Sequence, residues 1–430
     1  MNKTVRNIII VLIVVFLGYY LWTIIERATG NKESRNTLLL WISSDERMEK
    51  FWKKVVSEWN KSDEGMKVEF RNIPAAGSSE EAIFNSIASR TTPDICSGIF
   101  SGFSKQLVLL DAVHNLQNFE GYEELIKQRK MRKLLKHWSV NNKDYVFPIF
   151  SSPALIWWRW DILSKFGWKD VPETYSDIYK LSEQVVIPHK RYCLMVFGTN
   201  DWWSRWNDFI AYYYAASGGK PYIVNNKTVF DNKYGKEVMV FFKTMLEKKY
   251  TRYIFDNKLA FYENLLVGKA NFPNEVEFAK KSFPGILEKI KIGPLPVPDD
   301  YKGKKYTRAN TRGLVVFKMS KHPKEAWKFL NWVFSQDRFS LLWLECTGFP
   351  PVRGDLMTNP VFKKFFKKNN IVYEYAKYMD TAIPPASIAE TIAVQNTMTN
   401  KLIEPMVYRN GSIDILLKNT AVQVNKDLSN

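Results

Sequence analysis

The chain has 430 residues with 62 Lys and Arg against 44 Asp and Glu, a net charge of +18, and 15% aromatic side chains that include 15 Trp. That length has room for two domains, and three Cys, at 96, 193 and 346 with none in a CxxC spacing, exclude a full disulfide set, so stability must come from a packed core. The basic residues are dispersed and no zinc-finger or RNP-like motif occurs, which argues against a nucleic-acid partner; the charge reads either as a solvated Lys-rich surface or as attraction to anionic polymers, lipids or an acidic ligand.

Lys3 and Arg6 lead into Ile8 to Ile25, a run without a charged side chain whose helical length of about 27 Å just spans a thin hydrocarbon core. Basic residues ahead of the run keep that end cytoplasmic and place everything after Glu26 and Arg27 outside. Tyr19, Tyr20 and Trp22 mark its outer end, where aromatics favour the interface, and the run exceeds the roughly 7–15 residues of a signal-peptide core. The expectation is a transmembrane helix retained as an anchor over residues 1–25. Cleavage after Ala28-Thr29-Gly30, which would release the body, is the alternative. Residues 26–36 are polar and read as a spacer.

Leu38 to Ser43 is an apolar run of strand length. From Asp45 the period changes: Met48, Trp52, Val55, Val56 and Trp59 recur at helical spacing, and Gly65 follows. MKVEFRNIP returns to strand alternation. Ser78 and Glu81 fit a capping box ahead of Ile83 and Ile87, and Thr92-Pro93-Asp94 introduces the strand ICSGIF. YVFPIF and ALIWWRW read as strands around Pro148, which places Trp157, Trp158 and Trp160 in a core. Thr174 and Asp177 cap a helix through Ile178, Leu181 and Val185, and further helices are expected over 206–216 and 236–246. GPLPVPDD marks a crossing loop, GLVVFKMS a strand, and Pro323 opens a helix whose Trp327, Leu330 and Phe334 share one face. The alternation of strand and helix argues for an α/β chain of open, largely parallel sheets covered by helices.

Catalytic signatures are missing. There is no GxSxG, HExxH, P-loop or GxGxxG, and the four His, at 114, 137, 189 and 322, stand apart, so neither a metal nor a cofactor is expected. A glycosidase's two carboxylates can come from anywhere in a sequence, which leaves a glycan-active enzyme open. The conspicuous cluster is Asn200-Asp201-Trp202-Trp203-Ser204-Arg205-Trp206. Indole faces beside Asn, Asp and Arg suit a sugar, whose C–H faces stack on the rings while its hydroxyls bond the polar groups; the competing reading is that the rings pack a core. Trp202 and Trp203 are the binding candidates, and Trp206 starts the next helix.

The run LLLWISSDERMEKFWKKVVSEWNKSDEGMKVEF resembles the opening of the maltose-binding type of extracytoplasmic solute-binding protein, the receptors that feed ABC importers. TPDICSGIF with LVLLDAV, YVFPIFSSPALIWWRWDILSKFGWKDVPETYSDIYKL, FYENLLVGKANFPNEVEF, GLVVFKMSKHPKEAWKFLNWVFSQD and TGFPPVRGDL follow in the family's order, so the likeness covers nearly everything from residue 37. It implies a two-lobed periplasmic-binding-protein-like fold of type II, each lobe a sheet flanked by helices, with the ligand in the cleft between lobes. Crossings near Pro148, Ile292 and Phe339 would give an N-terminal lobe of 37–147 plus 292–338 and a C-terminal lobe of 148–291 plus 339–430.

Carried onto this sequence, the likeness points to Ser43, Asp45 and Glu46 after the first strand, Ser101 after TPDIC, and Ser152 at the start of the second lobe. It adds Asn274, Glu275 and Phe278 in NFPNEVEF, which lacks the Gly common there in the family, and Arg312 in the loop before GLVVF. Helix capping is the competing role for Asp45 and Glu46. Residues 384–400 lack an aromatic that maltose-type members often place there, which counts against maltodextrin itself, while Arg205, Arg312 and the basic balance leave an acidic sugar or a phosphorylated polyol open. The resemblance thus implies a monomeric, membrane-tethered receptor without chemistry of its own. It would bind a carbohydrate, an oligosaccharide for preference, outside the cell and hand it to an ABC permease. A surface-anchored glycan hydrolase or transferase and a ligand-sensing partner of a membrane kinase are the alternatives.

Overall fold

The computed structural model describes residues 36–76, 78–198, 205–409 and 411–429. The expected membrane span and the spacer up to residue 35 lie outside them, and among the described residues no helix is long and apolar enough to cross a membrane.

Strands β1 (Thr37–Ile42), β2 (Lys67–Asn72) and β3 (Ile95–Ile99) run parallel with β1 in the middle, so that Leu40 sits beside Phe70 on one side and Ile95 on the other. Helix α1 (Glu46–Ser62) joins β1 to β2, and α2 (Ser79–Ala88) joins β2 to β3. The apolar period of α1 becomes its buried stripe, Met48, Phe51, Trp52, Val55, Val56 and Trp59. Its Trp52 and Trp59 pack against Phe329 of a later helix. Ser78 Oγ accepts the Glu81 N–H at 3.1 Å and so satisfies one free donor at the start of α2.

Strand β4 (Phe147–Pro153) belongs to this first sheet, whereas β5 (Leu155–Arg159) lies in a second one, so the chain changes sheets across Ala154. The second body holds α3 (Tyr175–Val185), β6 (Tyr192–Met195), α4 (Arg205–Ser217), the hairpin β7 (Ile223–Val224) and β8 (Lys227–Thr228), α5 (Lys233–Glu247), β9 (Leu266–Asn271) and β10 (Ile290–Gly293). Thr174 and Asp177 make both halves of the capping box on α3. The chain then returns through the proline-rich loop to β11 (Thr307–Val316), α6 (Pro323–Phe334) and α7 (Asp337–Thr347). It ends in β12 (Ala382–Ile383) and helical segments closing with α8 (Ile413–Asp427).

The first sheet has the order β12-β11-β3-β1-β2 with β4 on the other partner edge of β11, and the second the order β10-β5-β9-β6. Parallel pairing is confined to β1 with its two neighbours, β6 with β9, and β11 with β12; β11 runs antiparallel to both β3 and β4, and β5 to both β9 and β10. The expected largely parallel arrangement therefore does not hold: both sheets are mixed, with an unbroken parallel run only around β1. The physical reason is that β5 and β11 are reached from the other body, without the helical crossover that returns a strand in parallel.

Three local expectations are corrected. Ser152 stands on β4 in the first sheet, and Arg312 lies inside β11 rather than in a loop before it. Trp160 opens a short helix, Trp160–Leu163, rather than extending β5. The expected lobe boundary at residue 148 falls inside β4, and Phe339 falls inside α7, where it packs on Trp332 in the core of the first body.

Much of the aromatic load goes into the cores: Trp52, Trp59, Trp157, Trp158 and Trp206 are all fully buried. Trp158 explains one glycine. It pairs directly with Gly268 across β5 and β9, and a Cβ at 268 would stand 2.3 Å from its ring.

Candidate functional site

The parallel strands β1, β2 and β3 end on the same side of the first sheet, the position at which open α/β sheets leave a crevice for a ligand. At the end of β1, Ser43 and Ser44 turn the chain and Asp45 caps α1, accepting the N–H groups of Arg47 at 2.9 Å and Met48 at 3.3 Å. The same carboxylate takes Arg47 Nε at 3.0 Å and Nη2 at 2.5 Å. Burial pushes the Asp45 carboxyl up, but the Arg47 guanidinium outweighs it and holds the group below the usual carboxylate range. Arg47 then reaches across the crevice: its Nη1 donates to the backbone carbonyl of Asn274 at 2.9 Å, and its guanidinium stands 5.9 Å from the centre of the Phe349 ring. The charge of Asp45 is thus already matched within the protein, and a link between the two bodies is built on it.

The crevice is a cavity of about 450 Å³. Ser43, Asp45, Arg47 and the segment after β2 form one wall, Phe150, Asn310 and Arg312 the floor, and Asn274 with Phe349 the opposite side. It brings together Ser43, Asp45, Asn274 and Arg312 among the expected site residues. Glu46 points into solvent from the first turn of α1. Ser101 is buried, its Oγ accepting from Thr311 Oγ1 at 3.2 Å. Ser152 is fully buried with its hydroxyl unpartnered among the described residues, directly across from Asn310 on β11. Glu275 and Phe278 line a neighbouring cavity of about 540 Å³ together with Lys269 and Phe255. Trp202 and Trp203 lie outside the described residues; the chain on either side of them ends at Gly198, which lines that second cavity, and resumes with α4, where Trp206 is core.

Arg47, Phe150, Asn310 and Phe349 were not expected at the site. Only Asn310 had a sequence signal: Arg308, Asn310 and Arg312 alternate with Ala309 and Thr311 at the strand period, immediately before an apolar run. Among the described residues no cluster of His, Cys, Asp and Glu could hold a metal ion.

Asp208 of α4 carries a strongly perturbed carboxyl next to Gly198, which lines the second cavity. Burial raises it to about 7, against the Gly198 N–H that donates to its Oδ1 at 3.1 Å. A carboxyl with a folded pKa above its unfolded value of ~3.9 binds more protons when folded, so stability falls as pH rises between ~3.9 and about 7 and then levels off. Asp208→Asn is expected to flatten this part of the pH–stability curve, measured by urea unfolding at pH values across that window.

A sequence profile of the bacterial extracellular solute-binding protein family matches residues 43–337, which is most of the chain. The chain belongs to that family. The solute-binding protein is similar in structure to an uncharacterised protein from Listeria monocytogenes, with a TM-score of 0.80 and 25% identity over 91% of this chain and 98% of that one. It is also similar to the sugar-binding protein MalE from Xanthomonas citri, with a TM-score of 0.76 and 18% identity over 91% of this chain and 97% of that one. The cyclic alpha-maltosyl-1,6-maltose binding protein from Arthrobacter globiformis gives a TM-score of 0.78 and 16% identity over 91% and 98%. No curated protein matches the solute-binding protein by sequence. Its two-lobed α/β architecture is that of the maltose-binding type.

Proposed function

We propose that the chain is the extracytoplasmic substrate-binding component of an ABC importer, taking a carbohydrate, an oligosaccharide, in the cleft between its lobes and delivering it to the permease. The observation that carries this reading is the polar cavity between two α/β bodies, walled by Ser43 and Asn274 and floored by Asn310 and Arg312, with the mutually stacked rings of Phe150 and Phe349 in its lining. Directional polar groups suit a sugar's hydroxyls, and the flat apolar face it needs falls to Trp202 and Trp203. Membership of a solute-binding family and likeness to the sugar-binding proteins of Xanthomonas citri and Arthrobacter globiformis support it. The chain changes sheets at Ala154 and between β10 and β11, and beyond Val352 the helix Asn370–Lys377 docks on the second sheet; hinge motion at these three places would close the lobes on the ligand and create the surface that the permease reads. Ile8–Ile25 acts as the anchor that holds the monomeric receptor beside its permease, raising their effective concentration.

A glycan panel tests the reading on the full chain in detergent. A ligand at 100 times its Kd is expected to raise the melting temperature by ~3 °C for a body of this size and to quench tryptophan fluorescence. Trp202→Ala or Trp203→Ala is expected to abolish both responses. Unchanged affinity in both variants removes those two residues from the site.

A further inference from the structure

The alternation in TRANTR puts Arg308, Asn310 and Arg312 on one face of β11, while Thr307, Ala309 and Thr311 are buried on the other. The register sets Ser152 opposite Asn310 and Phe150 opposite Arg312, so Ser152 belongs to the same row, and Phe150, Asn310 and Arg312 floor the cleft. This row has more donors than acceptors. The Ser152 hydroxyl and Arg308 Nε are buried without a hydrogen-bond partner among the described residues. Arg312 gives one N–H to the Thr311 carbonyl at 2.8 Å and stands 5.9 Å from the centre of the Phe100 ring, neither of which neutralises it.

Elsewhere in the cleft a guanidinium is matched, Arg47 by Asp45. Among the described residues no carboxylate is within ion-pair distance of Arg308 or Arg312. Asp208 acts on Arg308, and Glu80 on Arg312, only through the longer-range field, and burial depresses both guanidiniums. Asp208 is itself the carboxyl that burial raises to about 7, which weakens its compensation near neutrality. Two desolvated cations and two idle donors on one strand face are costly when empty and are satisfied by an acceptor-rich anion.

Resting on the carbohydrate reading above, we propose that the ligand is an anionic saccharide whose carboxylate or phosphate lies on this row, accepting from Arg308 and Arg312 with Asn310 and Ser152 between them. Arg312 stands toward Phe100 and Glu80 of the first body and Arg308 toward Asp208 and Tyr214 of the second. Both arginines stand on β11 of the first body, and Arg308 directs the bound anion toward the boundary with the second.

The test is calorimetric titration of the full chain in detergent with digalacturonate, a glucuronate-containing disaccharide and hexose 6-phosphates, each beside its uncharged counterpart, at low and high salt. At least one acidic ligand is expected to bind tenfold or more tightly than its uncharged form, with an affinity that falls as salt rises; the carboxylate and phosphate arms identify the anion. Arg308→Gln and Arg312→Gln are each expected to weaken that acidic ligand by about tenfold to a hundredfold and to weaken its uncharged counterpart much less, so that the preference for the acid is lost. Variants that keep the acid preference overturn the assignment to this row. Uncharged sugars binding as well as their acids overturn the inference and leave the carbohydrate reading standing; a chain that binds neither overturns both.

Discussion

Trp157→Ala is expected to lower the unfolding free energy by about 3–5 kcal/mol, the range for removing a fully buried large aromatic from a core. Trp157 is wholly buried on β5, edge-on to Phe261 at 6.4 Å between ring centres, in a core shared with Met195, Phe255 and Leu266. Two effects add. The lost ring leaves a void that the flanking strand β9 cannot collapse to fill, because it is hydrogen-bonded to β5 on one side and β6 on the other. Removal of the indole also breaks a polar chain: Trp157 Nε1 donates to the Tyr375 hydroxyl at 2.9 Å, and Tyr375 donates to the Asn271 carbonyl at 2.7 Å. That chain fastens the helix Asn370–Lys377, from the last third of the sequence, to the second sheet. Trp157→Phe keeps most of the apolar bulk and is expected to cost about 1–3 kcal/mol. Urea unfolding of both variants checks the order; equal losses would mean that the hydrogen bonds, not the ring, carry the effect.

Arg353→Met is expected to cost about 3–5 kcal/mol at neutral pH, because it leaves the buried Asp355 carboxylate, and the half-buried Asp337 beside it, without their cation. Arg353 is almost wholly buried just past the third crossing. It donates to both oxygens of Asp355 at 2.8 Å and pairs with Asp337 of α7 at 2.5 Å. Asn359 completes the cluster by donating to Asp337 at 2.8 Å and to Asp355 at 3.0 Å. Burial raises the Asp355 carboxyl, and the hydrogen bonds from Arg353 and Asn359 more than reverse it, so its folded pKa lies below the unfolded value. The stabilisation is therefore full above ~3.9 and is lost as pH falls through the depressed folded value. The deficit of Arg353→Met relative to the unaltered chain is accordingly expected to shrink in acid, as protonation discharges Asp355. A deficit independent of pH would assign it to packing against Phe362, whose ring centre lies 5.3 Å from the guanidinium.

What could be read in the sequence was local. The stripe Met48, Trp52, Val55, Val56 and Trp59 defines α1 because burial follows helical period, and Thr174 with Asp177 marks the start of α3 because a capping box closes within four residues. What could not be read depends on contacts between distant positions. The bond from Arg47 to Asn274 joins residues 227 apart, and no spacing announces it. Phe150 reaches the cleft floor through its register against Arg312, and Phe349 reaches the far wall as the first residues after α7 return to β4. Arg308 and Asn310 are hidden for a different reason: polar residues ahead of GLVVF have the composition of a loop, whereas on a strand whose polar face floors a cleft the same residues are ordinary two-residue alternation. The reading of Asp45 carried both its roles from the start, helix cap and cleft residue, and the structure has it capping α1 while lining the cavity.

A crystal structure of the full chain with the tightest-binding glycan of the panel tests the cleft as the ligand site most directly. Sugar density is expected between the two lobes, bounded by Ser43, Asn274, Asn310 and Arg312, with the segment bearing Trp202 and Trp203 against a ring face. Density for the glycan elsewhere on the molecule, with that cleft empty, would contradict this assignment.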